Sequence, residues 1–148
     1  MKKKNKPLVS IIMNCYNGER FLSKSIKSII LQSYKNWELI FFDNLSTDKS
    51  KDIVKSFKDK RIKYFYSKKF LKLYFARNLA INKARGKYIS FCDTDDWWKR
   101  NKLKKQVSLM ERKNYNLTFS NIFMYNNKTK TSKLFFHSKI PNGKMTQF

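Results

Sequence analysis

Three of the ten acidic residues in this 148-residue chain fall within four positions, Asp93-Thr94-Asp95-Asp96. Two carboxylates about 4 Å apart repel by about 4 kcal/mol at an effective dielectric of about 20. A fold keeps such a cluster when positive charge answers it or when the side chains splay into water. A divalent cation is the strongest answer, and Mg2+ or Mn2+ takes carboxylate, water and phosphate oxygens. The other reading is a solvated acidic turn capping the next helix, favoured by the macrodipole. Spacing alone leaves both open.

Two further polar clusters stand out, Asn14-Cys15-Tyr16-Asn17 and Asp43-Asn44-Leu45-Ser46-Thr47-Asp48. The second is rich in residues that cap helices and form turns. Other familiar chemistry is missing. There is no GxGxxG after a strand and no GxxxxGK[ST], and Gly18, Gly86 and Gly143 are the only glycines, which argues against a dinucleotide enzyme or a P-loop NTPase. His137 is the only histidine, so no Cys/His zinc set and no Ser/His/Asp set exists; in an expected strand it reads as structural. Cys15 and Cys92 are too few for a disulfide framework and too far apart for a CxxC pair, which points to a reducing cytoplasm.

The elements that must position these clusters alternate. Leu8–Met13 is a short apolar run of strand length, and Phe21, Leu22, Ile26, Ile29 and Ile30 then recur at helical spacing. Trp37–Phe42 is a second buried-type strand, followed by a helix whose inner face carries Ile53, Val54 and Phe57. Ile62–Tyr66 reads as a strand and Tyr74–Ala84 as a helix, with Gly86 as its expected C-cap. Lys87–Cys92 is a strand running into the acidic cluster, and Leu103, Val107 and Met110 mark another helix. Leu117–Tyr125 reads as a strand that Asn126-Asn127 turns into a hairpin with the segment near Leu134–Phe136. Strands alternating with helices predict one α/β domain, a mostly parallel sheet covered on both faces. Ligands bind such sheets at the carboxyl ends of the strands, where the chain order reverses. All three polar clusters fall there. Cys15 and Cys92 sit at equivalent strand ends, as packed small residues or, alternatively, as a regulatory thiol pair.

Composition sets outer limits. The 16% aromatic content excludes a disordered chain, and no stretch approaches the roughly 20 apolar residues of a membrane span. The basic N-terminus, Met1 to Lys6, is followed by no long apolar run of a signal peptide. The formal net charge is +24, from 28 Lys and 6 Arg against 10 acids, with no dense basic tract. Scarce Arg argues against a nucleic-acid reader, whereas dispersed Lys suits weak attraction to an acidic membrane surface.

Taken together, the residues resemble a known family. Ser10-Ile11-Ile12…Tyr16-Asn17, Leu22…Ile26…Ser28-Ile29, Gln32-Ser33-Tyr34…Trp37-Glu38-Leu39-Ile40, Asp43 to Asp48, Ala76-Arg77-Asn78…Ala80, Gly86-Lys87-Tyr88-Ile89…Phe91…Asp93 to Asp96…Trp98 and Lys102-Leu103…Gln106 look like the family 2 glycosyltransferases of the GT-A fold. The resemblance covers about residues 7–112 of a single domain spanning 1–148, with 113–148 a partial continuation. It implies a Rossmann-like three-layer domain and transfer of a sugar, with inversion, from a nucleoside-diphosphate donor to a saccharide or lipid-linked acceptor. The resemblance places Asn14, Tyr16, Asp43 and Asn44 at the nucleobase and ribose, and Arg77 near the nucleotide. Asn44 stands where many members carry a second Asp, which loosens the choice of UDP. A helix-surface salt bridge is the alternative reading of Arg77. Asp95 and Asp96 match the acidic pair that contacts the metal and the donor sugar, Asp93 beginning the motif, so the resemblance implies Asp93, Asp95 and Asp96 as ligands of a Mn2+ or Mg2+ cofactor.

The chemistry agrees: a cation stabilises the charge on the departing nucleoside diphosphate, and a carboxylate on the opposite face deprotonates the acceptor hydroxyl. Family members run on well beyond this length to supply the acceptor site and that base. After Glu111 this sequence has no Asp or Glu, so no catalytic base is assigned. The expectation is a donor-binding half, truncated or split, cytoplasmic and resting on the inner membrane face through its lysines. Two rival readings stand beside an active hexosyltransferase-like enzyme: a donor-binding module without turnover of its own, and a basic polyanion-binding domain. Trp97-Trp98 is read as packing at the start of the next helix rather than as a sugar platform.

Overall fold

The computed structural model describes residues 6–136, so the expectations for Met1 to Asn5 and for His137 lie outside the described residues. Two compact units divide the chain, Met1–Lys105 and Gln106–Phe148.

In the first unit the apolar runs become four strands, β1 (Val9–Cys15), β2 (Trp37–Asp43), β3 (Ile62–Tyr66) and β4 (Tyr88–Phe91). They form one parallel sheet in the order β3-β2-β1-β4. Every residue of β2 is buried, which a parallel strand needs when both of its faces are covered. Helices α1 (Glu19–Ile30), α2 (Ser50–Ser56) and α3 (Leu73–Ile81) connect the strands. The small residues Ala76 and Ala80, one helical turn apart, let α3 lie flush on Ile12, Ile40 and Phe42. By strand alternation Ile11, Met13, Leu39 and Phe41 are buried on the other face.

A charged lock closes the amino end of the sheet. Glu38, inside β2, accepts from Ser10 Oγ at 2.7 Å, from the Arg85 backbone N–H at 2.9 Å and from Arg85 Nη2 at 2.8 Å. Burial alone would raise the Glu38 carboxyl, but the donors from Ser10 and Arg85 outweigh it and hold it below the ordinary range. Gly86 belongs to this lock, which corrects its expected role as a helix cap. α3 ends at Ile81 with Asn82 in a right-handed C-cap conformation, and no described glycine has positive φ. The real constraint on Gly86 is close approach. A Cβ there would meet the Ser10 backbone nitrogen at 2.5 Å and the Leu8 carbonyl oxygen at 2.9 Å.

Helix α4 (Lys102–Lys113) carries the chain into the second unit. There β5 (Phe123–Asn126) and β6 (Thr131–Leu134) form the expected antiparallel hairpin. Asn126 shapes the turn by accepting from the backbone of Lys128 and Thr129. The strand is shorter than the Leu117–Tyr125 expected. At Asn121 a side-chain amide replaces the ladder, donating to the Phe136 carbonyl at 2.8 Å and accepting from the Phe136 N–H at 3.1 Å.

Candidate functional site

The sheet order puts the reversal of chain direction between β1 and β4, so the loops after these strands, 14–17 and 93–96, flank one crevice. β2 delivers the third polar cluster beside β1, with Cys15 opposite Asp43 in register.

Asn14, next to last in β1, has both amide atoms buried and without a hydrogen-bond partner. Buried polar atoms are almost always paired, so such a group points to something that fills it. It lines a cavity of about 130 Å³ together with Cys15, Tyr16, Asn44, Phe70, Leu71 and Leu73. The Tyr16 ring, 54% exposed, stands edge-on to Phe70 at 4.8 Å. Asp43 and Asn44 are committed internally. The fully buried Asp43 accepts from the Ser46 N–H at 2.8 Å and from the Tyr64 hydroxyl at 2.7 Å. Burial, and then the hydrogen bond to Asp43, push the Tyr64 hydroxyl well above its usual range. Asn44 donates to the Leu71 carbonyl at 2.8 Å and accepts from the Leu71 N–H at 3.0 Å, fixing the segment that walls the cavity. Within this cluster the structure therefore brings Asn14, Tyr16 and Asn44 to one cavity and places Asp43 beneath it.

The loops themselves are braced. Asn17 accepts from the Thr47 N–H at 2.8 Å, Asp48 from the Glu19 N–H at 2.9 Å, and Glu19 from the Lys49 N–H at 2.9 Å. Two helix starts thus cap each other with carboxylates, where the macrodipole favours negative charge.

The acidic turn is held by residues the sequence reading gave no role. Ser25 and Ser28 lie on α1 and Gln32 just beyond its end, and Ser25 and Gln32 are fully buried. Ser25 Oγ contacts the Thr94 carbonyl at 2.7 Å and also the Asp96 carbonyl, Ser28 Oγ accepts from the Trp98 N–H at 3.0 Å, and Gln32 bridges the Lys99 carbonyl and the Leu103 N–H. The signal was available: polar residues at spacings of three and four on an otherwise apolar stripe. Gripped this way, the turn closes on an Asp96 N–H to Asp93 carbonyl bond of 3.1 Å and presents the side chains of Asp93, Asp95 and Asp96 outward. Desolvation, then the charges of Asp95 and Asp93, hold the Asp96 carboxyl above the usual range. Among the described residues no three carboxylate, thiol or imidazole groups already form a cation cage. Arg77 on α3 reaches the turn, its Nη2 2.9 Å from Asp93 Oδ1. Trp97 and Trp98 are each covered by a lysine, Lys24 at 3.3 Å and Lys102 at 4.1 Å from the ring centroids.

Both cysteines are free and buried, and burial raises both thiols. Cys15 Sγ lies 3.8 Å from Ser46 Oγ and Cys92 Sγ lies 3.8 Å from the Asp93 carbonyl oxygen.

A parallel sheet with its polar loops at this switch point, and an acidic turn after the strand beyond it, is the ligand-binding arrangement of an open α/β sheet. The chain belongs to glycosyl transferase family 2, whose family model matches residues 10–147. It is 39% identical over 138 residues to the UDP-Glc:alpha-D-GlcNAc-diphosphoundecaprenol beta-1,3-glucosyltransferase WfgD of Escherichia coli, a match covering 93% of this chain and 54% of that protein. The chain thus spans about half the length of this relative. Among solved structures, TarS of S. aureus superposes with a TM-score of 0.67 at 25% identity, over 70% of this chain and 32% of that one. The mannosyltransferase PcManGT of Pyrobaculum calidifontis, solved with GDP-Man and Mn2+, superposes at 0.66 with 23% identity, over 72% and 33%.

Proposed function

We propose that this chain binds a nucleoside-diphosphate sugar, with UDP as the nucleotide, and forms the donor side of an inverting glycosyltransferase acting on a saccharide or lipid-linked acceptor. One observation carries the reading: the buried, unpartnered Asn14 amide in a cavity at the carboxyl ends of β1 and β2 of a family 2 chain. One donor and one acceptor side by side match the edge of a pyrimidine base, and Tyr16 and Phe70 offer it aromatic surface. Asn44 keeps the cavity wall in place, Asp43 supports it from beneath, and Arg77 lies toward the phosphates.

Asp95 and Asp96 would hold a Mn2+ or Mg2+ ion together with oxygens of the donor. Their hard oxygen donors suit such an ion, and a cation would offset the burial and the mutual repulsion that together lift the Asp96 carboxyl. When bound, the ion supplies stabilisation of the charge that develops on the departing diphosphate. Support for the substrate class comes from WfgD, whose name joins a UDP-sugar donor to a lipid diphosphate acceptor, and from TarS, solved with UDP-GlcNAc. The lysine excess suits a peripheral seat on an anionic leaflet. Among the described residues no helix is long and apolar enough to cross a membrane.

The test is calorimetric titration of UDP with and without Mn2+, into wild type and an Asp95→Ala/Asp96→Ala variant, with GDP and a DNA duplex as controls. Saturable UDP binding that needs the cation and both aspartates is the expected result. Binding that ignores cation and mutation, is matched by DNA and vanishes at higher salt would leave a polyanion-binding domain instead.

A further inference from the structure

We infer that Asp93 is a positioning residue for Arg77, and that it stands outside the cation's ligand set formed by Asp95 and Asp96; this rests on the donor-site reading above. The geometry begins with α3. Ala76 and Ala80 seat the helix directly on the sheet, so the backbone at Arg77 has no play against β1 and β2. From there the Arg77 side chain runs toward the switch point. Its guanidinium passes 5.3 Å from the Phe91 ring centroid, and Nη2 donates to Asp93 Oδ1 at 2.9 Å. The pair joins α3 to the carboxyl end of β4 across the crevice's edge.

An ion pair in this setting contributes little to folding. The Arg77 side chain is 32% exposed and that of Asp93 58%, and solvated pairs of this kind are weak. Its value lies in direction. Arg77 Nε is buried without a partner, and Asp93 engages only one of the guanidinium's other nitrogens. An arginine has five N–H donors in a rigid fork, so most of this one's capacity is unspent, in a geometry suited to phosphate oxygens. Free arginine side chains sample many rotamers; tethering one nitrogen removes most of that freedom before a ligand arrives. A carboxylate whose charge is already answered by a guanidinium is also a poorer ligand for a cation. Asp95 and Asp96 take no part in this pair.

Two roles for Asp93 separate experimentally. UDP affinity and its Mn2+ dependence are measured for wild type, Asp93→Ala, Asp93→Asn, Arg77→Ala and the double alanine variant, with thermal unfolding as a fold control. A positioning role predicts that Asp93→Ala weakens UDP binding about tenfold, the scale of one charge-assisted hydrogen bond. Arg77→Ala should cost at least as much, and the double variant no more than Arg77→Ala alone, because Asp93 acts through Arg77. Asp93→Asn, which keeps an acceptor oxygen, should restore part of the loss. The Mn2+ concentration giving half-maximal UDP binding should stay at the wild-type value in both Asp93 variants. A raised Mn2+ requirement in Asp93→Ala, or losses that multiply in the double variant, overturns the inference and makes Asp93 a ligand. Wild type that fails to bind UDP at any Mn2+ concentration overturns the donor-site reading, and this inference falls with it.

Discussion

Replacing Gly86 by alanine adds one methyl group where the structure has no room. The new Cβ would lie 2.5 Å from the Ser10 backbone nitrogen, 2.8 Å from Ser10 Oγ and 2.9 Å from the Leu8 carbonyl oxygen. Two of these atoms are backbone of the segment leading into and through β1, the strand paired on both sides. The third is held at 2.7 Å by Glu38 and accepts from Gly86 itself at 2.8 Å. None is the far end of a flexible side chain. Overpacking of this kind costs about 1–3 kcal/mol, and loss of the Gly86 N–H bond to Ser10 adds about 1 kcal/mol. Against this, alanine lowers the entropy of the unfolded chain by about 0.4–1 kcal/mol at a conformation it can adopt, and Gly86 has no positive φ. The net expectation is destabilisation by about 2–3 kcal/mol, a fall in Tm of roughly 10 °C.

Gly18→Ala is the matched control. Its Cβ would meet Cys15 Sγ at 3.0 Å and Thr94 side-chain atoms at 3.1 Å, groups that can shift by a few tenths of an ångström. That variant should lose about 1 kcal/mol or less. Thermal and urea unfolding followed by circular dichroism decides the matter. If Gly86→Ala unfolds within about 0.5 kcal/mol of wild type, or Gly18→Ala is the worse of the two, close packing against β1 is not what requires glycine at position 86.

The Glu38 lock makes a prediction about pH. Its carboxyl titrates lower in the folded chain than in the unfolded one, so its contribution is complete above the ordinary glutamate range and is lost as pH falls through the folded value. Urea midpoints of wild type should therefore drop on acidification below that range, and Glu38→Gln should be less stable at neutral pH with a flatter acid limb. At the other end of β2, Tyr64→Phe keeps the ring stacked on Phe41 at 5.8 Å but takes a hydrogen-bond donor from the buried Asp43. The expected cost is about 1–3 kcal/mol, read as a lower urea midpoint with an unchanged m-value.

Sequence patterns located the strands because the signal for each is local. In Trp37 to Phe42, apolar residues broken only by Glu38 run into a cluster of turn formers, and Ile62–Tyr66 has the bounds observed. The position of the crevice followed from the same alternation, since strand ends carry the polar clusters in any such sheet. What each polar side chain does was not local. Asp43 bonds Tyr64, 21 positions away, and Asn44 bonds Leu71, 27 positions away. Composition at positions 43 and 44 cannot tell a residue that faces a ligand from one that ties down a loop. The grip of Ser25, Ser28 and Gln32 on the acidic turn spans about seventy positions and was equally hidden. Gly86 fitted a helix-ending pattern, but its constraint is the passage of β1 behind it.

The division between satisfied and unsatisfied polar groups says what the fold leaves for a ligand. Around the strand ends Asn17, Glu19, Asp43, Asn44 and Asp48 are all engaged within the chain. Of the four buried side-chain atoms without a partner among the described residues, three belong to Asn14 and Arg77. Each such group carries a desolvation cost of about 1–3 kcal/mol that folding does not recover. A molecule that supplies the missing partners recovers it on binding, so in the proposed donor site these residues would contribute affinity and discrimination beyond contact area. One end must offer a donor and an acceptor to an amide, and the other must offer oxygens to a guanidinium that Asp93 already steadies. A base joined to a diphosphate meets both demands at once. A bare polyanion meets only the second, which is why loss of the Asn14 amide should weaken UDP binding and leave DNA binding unchanged.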